Sequence, residues 1–246
     1  MSLTGCIYWL RAYEVYSQLE EFDHYFSTTV DDGFKLGFNE PVLYDEDFIS
    51  LAKLQPSTVL ADGVDKKWLY LFQKVDAEGN VMQPEVSFYF ELFFNEERRL
   101  TQWVFSPLFL QIAPAEFLEA SIRSIGEGRI DRSSNQLKVD LDSIEKISAE
   151  LPGKAQIVAQ LGEPLKVKVK KAKEVYYYHF KLQTEAIEEG FDDRALTVVK
   201  LSFDKKNNEL IKMSGRFIGL KLSINYRNYL EEEAKPPLQL VEKAIE

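Results

Sequence analysis

The sequence predicts an α+β protein of two tandem repeats, each with about two helices packed on one face of a mostly antiparallel sheet. Three observations support this class. Similar segments recur at a spacing of about 108 residues, each half starts with an amphipathic helical pattern, and alternating strands close each half. The composition fits a folded chain, because 45% of the 246 residues are hydrophobic and 28% are charged.

The recurrence consists of four pairs of segments that keep the same order. Residues 68–72 (WLYLF) match residues 176–180 (YYYHF), and residues 94–100 match residues 203–210 with one residue inserted. The other two pairs are 51–56 with 159–164 and 34–38 with 137–141. The sequence therefore predicts a duplicated unit.

Each half is predicted to begin with an amphipathic helix. In the first half, Val15, Leu19 and Phe22 share one face of a helix over residues 10–26. In the second half, the helix begins after Pro114 and ends near Gly126. The remaining helices are predicted over 45–54 and 153–161, with an additional short piece over 143–150.

The strands are predicted from alternation of apolar and polar residues. Phe88, Phe90 and Leu92 alternate with more polar neighbours, which indicates one buried face and one mixed face. The predicted strands are 34–42, 67–75, 85–95 and 100–108, then 136–141, 175–182, 196–203 and 210–218. The predicted domains are a first repeat over 7–110, a second repeat over 111–229 and a tail over 230–246 that ends in a short helix.

The only cysteine follows a short motif, Leu3-Thr4-Gly5-Cys6. This tetrapeptide resembles the lipobox of bacterial lipoproteins, which implies lipidation at Cys6 and anchoring in the cell envelope. A secretory signal needs a basic segment and an apolar stretch upstream, so we interpret the first residues as a cloning start. Ile7 after the cysteine resembles the outer-membrane sorting pattern, facing the periplasm. The alternative is a cytoplasmic protein with an accidental cysteine.

A second resemblance lies in the second half. A helix at 154–158 is followed by Leu161-Gly162-Glu163-Pro164, the aromatic segment 176–178 and a strand at 198–204. This order resembles the outer-membrane assembly lipoproteins of the SmpA/OmlA type and tandem β-lactamase-inhibitor-like proteins. In the first half the match is poor, because Leu54-Gln55-Pro56 lacks the glycine. The resemblance implies a non-catalytic envelope module.

Charge and reactive residues restrict the chemistry. The net charge of −10 argues against a nucleic-acid binder, and a single cysteine excludes an internal disulfide and a Cys-rich zinc site. The two histidines lack ligand spacing; His24 is expected near a helix end and His179 on a sheet face. Without a catalytic or phosphate-binding motif, we expect no enzyme activity, no cofactor and no metal.

A basic segment is the first candidate for binding a partner. It contains Lys166, Lys168, Lys170 and Lys171 in an otherwise acidic chain. One interpretation is an edge strand whose lysines prevent aggregation. The other is attraction to an anionic lipid surface or to an acidic envelope protein.

Aromatic residues are the second candidate, with 17 Phe, 12 Tyr and 3 Trp in the chain. Trp68, Tyr70, Tyr176 and Tyr178 are predicted partner-binding residues, because such rings bury a large area at low entropic cost. The alternative is that these rings pack in the core.

The function predicted from these patterns is that of a non-catalytic envelope lipoprotein, an interaction or scaffolding module on the periplasmic side of a membrane. The alternative is a carrier that binds a lipid or small apolar ligand between the helices and the sheet. A large apolar cavity would favour the carrier, and a solid core with an exposed aromatic face would favour the module. The oligomeric state stays open.

Overall fold

A computed structural model describes residues 4–62, 65–127, 129–131, 136–138, 144–184 and 186–231. The helices there are α1 (Thr4–Glu20), α2 (Phe22–Tyr25), α3 (Asp45–Ala52), α4 (Pro107–Leu110), α5 (Ala115–Gly126) and α6 (Lys154–Leu161). The strands are β1 (Phe26–Asp31), β2 (Gly33–Phe38), β3 (Thr58–Asp62), β4 (Asp65–Val75), β5 (Ser87–Phe94), β6 (Leu100–Phe105), β7 (Arg129–Asp131), β8 (Gln136–Lys138), β9 (Lys166–Val169), β10 (Lys173–Leu182), β11 (Leu196–Asp204), β12 (Leu210–Phe217) and β13 (Leu220–Asn225). Short 3-10 helices cover Asp192–Ala195 and Tyr226–Asn228.

Most of the strands belong to a single, strongly curled antiparallel sheet. Its order is β1-β2-β6-β5-β4-β10-β11-β12-β13, with β3 beside β4 and β9 beside β10, while β7 and β8 pair separately. The two halves of the chain meet at β4 and β10, where Gln73 pairs with Lys181. One sheet therefore runs through both halves.

The predicted fold class, two repeats with two helices each on its own sheet, is wrong. Strand dominates, several helices are short, and residues 144–150, predicted as helical, contain none. Within its own half, β3 covers one edge of β4 only over residues 65–69, and β9 covers one edge of β10 only over residues 174–177. The rest of each edge would leave backbone groups unpaired. Pairing residues 72–75 with residues 179–182 satisfies both open edges and merges the halves.

What recurs along the chain is the register of strand pairing. Thr58 pairs with Leu69 in the first half, and Lys166 pairs with Tyr177 in the second. The correspondence includes the residues that follow a register shift, Phe94 in the first half and Phe203 in the second. It also includes two turn residues with left-handed φ angles, Arg98 and Asn208. The similar sequence segments thus mark a repeated pairing pattern within one sheet.

One face of the sheet, the inner face, packs against the helices and forms the core. The buried side chains make one cluster with members from both halves. Phe88 of β5 lies near its centre, with ring centroids 5.0 Å from Phe72 of β4 and 4.8 Å from Phe180 of β10. On the outer face of β5, Tyr89 and Phe93 are half-buried. The predicted division of this strand into a buried and a mixed face is confirmed.

The first predicted helix is confirmed only in part. α1 ends at Glu20, and the chain enters β1 at Phe26 instead of completing a helix there. β1, β3 and β13 were not predicted. The apolar helical stripe reaches Phe26 at the start of β1, and β3 lacks alternation, whereas Leu220, Leu222 and Ile224 of β13 do alternate with polar residues. The predictions for α3, α5 and α6 are confirmed to within a few residues, and Gly162 ends α6 with φ +69° as its sequence context predicts.

Lys74 joins α6 to the sheet. Its side chain is buried on the inner face of β4, and its ammonium donates to the carbonyls of Leu161 at 2.6 Å and Glu163 at 2.7 Å. Burial lowers the pKa of Lys74. A cation is favourable at a helix C-terminus, where carbonyls lack partners within the helix. The two hydrogen bonds to carbonyls at the end of α6 therefore offset the free-energy cost of burying the Lys74 ammonium.

We expect Lys74→Met to lower the free energy of unfolding by about 1–3 kcal/mol, because two carbonyls lose their donor inside the protein. Urea denaturation monitored by circular dichroism measures the change. Lys181→Met, an exposed substitution on the neighbouring strand, is the control and should change stability by less than about 0.5 kcal/mol. Equal stability of the two variants would contradict this role of Lys74.

Candidate functional site

A cavity of about 370 Å³ lies between the helices and the inner face of the sheet, and it is partly open to solvent. Its lining is almost entirely apolar. The sheet contributes Phe26 of β1, Leu36 and Phe38 of β2, Phe90 of β5, and Trp103 and Phe105 of β6. These side chains all point to the inner face through the pairing of β1, β2, β5 and β6.

Two helices form the opposite wall. α1 contributes Val15 and Leu19, and α5 contributes Leu118, Ile122 and Ile125. The amphipathic spacing predicted for both helices points these residues inward. α1 and α5 touch where Gly126 meets Leu19, since a Cβ on Gly126 would lie 2.1 Å from the Leu19 carbonyl oxygen. A larger residue at position 126 would push the helices apart.

The end of the cavity at α3 carries a satisfied ion pair. Asp47 borders the cavity and is 4% exposed, and its Oδ1 accepts hydrogen bonds from Arg11 Nε at 3.1 Å and Nη2 at 2.5 Å. Its Oδ2 accepts from the backbone N–H of Tyr44 at 2.8 Å. The Arg11 guanidinium also lies 4.8 Å from the centre of the Tyr44 ring. The carboxylate is thus fully engaged by protein groups.

The rim on the other side is the hairpin between β12 and β13. Phe217, Leu220, Lys221 and Leu222 border the cavity there. The turn residues have positive φ angles, and Gly219 at +77° adopts this conformation without steric cost. Leu220 is exposed, so the hairpin presents apolar surface to solvent next to the opening.

This arrangement suits binding rather than chemistry. Apolar cavities tend to stay dry and accept apolar molecules, and small-molecule pockets have volumes of about 300–1,000 Å³. Trp103 Nε1 is buried beside the cavity without a hydrogen-bond partner in the described part of the chain. Among the residues that the structure describes, no group of three or more His, Cys, Asp or Glu side chains is arranged to hold a metal ion.

The predicted aromatic partner-binding residues lie mainly inside the protein. Trp68, Tyr70 and Tyr178 are buried on the inner face. Tyr176 is half-buried, with its ring 5.1 Å from that of Phe203. These four rings pack in the core, which was the alternative interpretation of the same pattern, and they offer little surface to a partner.

The four predicted lysines are all exposed. Lys166 and Lys168 lie on β9, which pairs with β10, and Lys170 and Lys171 follow in the turn between these strands. β9 is the short outer strand that the edge-strand interpretation expects. Binding of a partner by these lysines stays a prediction.

Cys6 lies in the first turns of α1. Its lipidation and the envelope location stay predictions. No helix in the described ranges is both long enough and apolar enough to cross a bilayer. The predicted C-terminal helix falls in residues 232–246, outside the described residues.

The two histidines occupy exposed or half-exposed positions. His24 is in α2, with Nε2 3.8 Å from Glu40 Oε1, and both side chains are more than 60% exposed. His179 lies on the outer face of β10 opposite Val75 and Val198. Both positions match those predicted from the sequence, a helix end and a sheet face.

Comparisons with protein-family models, curated proteins and solved structures return no match for the chain. The resemblances to lipoproteins and to β-lactamase-inhibitor-like proteins therefore stay predictions. The functional argument rests on the geometry of this chain alone.

Sequence reasoning did not identify the cavity. It assigned Val15, Leu19 and Ile122 to apolar helix faces, which is where they lie, and left open whether a pocket or a filled core lies between those faces and the sheet. Arg11 received no role, although it completes the polar end of the cavity. The amphipathic pattern was an available signal, but periodicity cannot show whether the space between two apolar faces is filled.

Proposed function

We propose that the protein is a carrier that binds one small apolar or amphiphilic molecule in the cavity. The supporting observation is an apolar space of about 370 Å³ between α1, α5 and the inner face of the sheet. The carrier hypothesis expects a pocket between the helices and the sheet of one repeat, whereas this cavity has lining residues from both halves, including Leu36 and Leu222. The lining side chains of the two helices and of β1, β2, β5 and β6 also belong to the hydrophobic core or pack against it.

The size and chemistry of the cavity restrict the ligand. The volume is at the small end of the range for small-molecule sites, which favours a single acyl chain or a compact apolar molecule. The apolar walls favour a hydrocarbon body. The partial opening lets a polar head remain in water.

Binding of N-phenyl-1-naphthylamine, an uncharged fluorophore, tests the proposal. We expect saturable fluorescence enhancement with one site per chain, and displacement by medium-chain alcohols. The double variant Leu43→Trp with Leu222→Trp replaces two leucines of the cavity lining with larger, aromatic side chains. It should weaken binding at least about tenfold, equivalent to about 1.4 kcal/mol.

The matched control is Leu69→Trp with Leu71→Trp, the same two changes at half-buried positions on the outer face of β4. It should retain affinity within about twofold. Absence of saturable binding by the parent protein, or equal loss in both double variants, would contradict the carrier function.

The interaction-module function has less support from the geometry. It requires exposed aromatic anchors, and three of the four predicted rings are buried. It stays a prediction for the lysines of β9.

A further inference from the structure

On the outer face of the second half of the sheet, basic residues lie in rows formed by paired residues of neighbouring strands. Directly paired residues of neighbouring antiparallel strands point to the same face. One row contains Lys168, Val175, Ser202, Lys212 and Asn225, and the next contains Lys166, Tyr177, Lys200, Ser214 and Ser223. The following pairs are His179 with Val198, Arg216 with Lys221, and Lys181 with Leu196.

Seven cations lie in these rows, and no acidic residue does. We call them the basic face: Lys166, Lys168, Lys181, Lys200, Lys212, Arg216 and Lys221. All seven are exposed, and none forms an ion pair with a residue in the described ranges. The next row holds Asp204, whose carboxylate is 2.5 Å from Arg227.

The outer face of the first half is different. Its lysines are neutralised locally, because Lys35 lies 2.7 Å from Asp31 and Lys67 lies 2.8 Å from Glu91. The chain as a whole carries a net charge of −10. Positive charge is therefore concentrated on one face of an acidic protein, and this separation orients the molecule in an electric field.

We propose that the basic face docks the protein on an anionic lipid surface. The charge complementarity supports this partner, since each lysine near an anionic membrane adds to the electrostatic attraction. Six of the seven cations are lysines, which act as hydrated point charges rather than as the planar forks that bind one defined phosphate or carboxylate. Their spread across β9 to β13 suits a surface with distributed charge.

The centre of the basic face also favours a lipid surface over a protein partner. Protein interfaces usually contain a central aromatic or apolar anchor that becomes buried. Here the central ring, Tyr177, is half-buried and already lies below two lysines, with Lys168 Nζ 5.3 Å and Lys200 Nζ 5.9 Å from the ring centre. The face thus presents ammonium groups where a protein interface would present an anchor.

The basic face adjoins the cavity described above. Lys221 belongs to the face and borders the rim of the cavity beside Leu220 and Leu222. Docking by this face would bring the rim close to lipid. The docking proposal does not depend on the carrier function, since charge on the outer face and apolar space on the inner face are separate features.

Co-sedimentation with vesicles tests the proposal. The full chain should bind vesicles of equal parts phosphatidylserine and phosphatidylcholine, should not bind pure phosphatidylcholine, and should dissociate at high salt. Lys166→Gln, Lys200→Gln and Lys212→Gln combined should weaken partitioning by about a hundredfold. These residues are exposed, so circular dichroism and the urea midpoint should be unchanged.

A matched triple variant separates the effect of the basic face on vesicle binding from the effect of net charge. Lys35→Gln, Lys53→Gln and Lys67→Gln remove the same charge from lysines already in ion pairs, and should change partitioning by less than about threefold. Equal loss in both variants, equal binding to neutral vesicles, or no binding to either vesicle would overturn the proposal. Fluorophore binding in the basic-face variant should equal that of the parent, which separates this test from that of the cavity.

Discussion

Phe88→Ala is expected to lower the free energy of unfolding by about 3–5 kcal/mol. The Phe88 ring has no exposed surface and contacts rings from both halves of the chain, including Phe72, Phe180 and Phe217. Its loss leaves a cavity where β4, β5, β10 and β12 share one core. Urea denaturation measures the change, and amide hydrogen exchange should rise together in β4 and β11.

The control for this prediction is Phe93→Ala on the outer face of the same strand. Phe93 is half-buried and lies under the Lys67 ammonium, so its loss should cost only about 1 kcal/mol. If Phe88→Ala does not fold, Phe88→Leu should still be destabilised, by about 1–2 kcal/mol. Exchange that rises only in the first half would show that the halves do not share a core.

Alkaline pH is expected to unfold the protein steeply. Burial raises the pKa of Tyr70, Tyr178 and Tyr226. Above about pH 10 the unfolded chain loses these three protons while the folded chain keeps them, so the unfolding free energy falls as pH rises. Each tyrosine contributes a slope of about 1.4 kcal/mol per pH unit, about 4 kcal/mol for all three. Urea denaturation at a series of pH values measures the slope.

Two single variants distinguish the tyrosines. Tyr70 has a buried hydroxyl without a partner in the described ranges, so Tyr70→Phe should hold or raise stability at pH 7 and reduce the alkaline slope by about a third. The Tyr178 hydroxyl donates to the Gly162 carbonyl at 3.1 Å. Tyr178→Phe should therefore lower the free energy of unfolding by about 1 kcal/mol at pH 7 and reduce the alkaline slope by as much as Tyr70→Phe does. An unchanged slope in both variants would refute the assignment.

The strands of the central sheet could be predicted because their alternation is strong. Phe88 to Phe94 places every second side chain in the core, and the sequence shows this directly. Pairing between β4 and β10 could not be predicted, because alternation identifies a buried face but not the neighbouring strand. β1 escaped prediction because a helical stripe of apolar residues, ending at Phe26, overlaps its start.

The candidate site was predictable only in outline. The apolar faces of α1 and α5 are visible in the sequence, and a carrier with a pocket between helices and sheet was one of the two hypotheses. The cavity itself depends on how far those faces stand from β2 and β6, a distance that no local pattern encodes. The basic face likewise depends on the register that aligns Lys200 with Lys166 across Tyr177.

Fluorescence quenching by a bromine-labelled alkyl alcohol tests most directly whether the cavity holds a ligand. Trp103 borders the cavity, whereas Trp68 lies in the core beside Phe94 and outside the cavity lining. In variants that keep one tryptophan each, with the others changed to phenylalanine, we expect saturable quenching of Trp103 at one ligand per chain and little quenching of Trp68. Equal quenching of both, or of neither, would contradict a ligand site at this position.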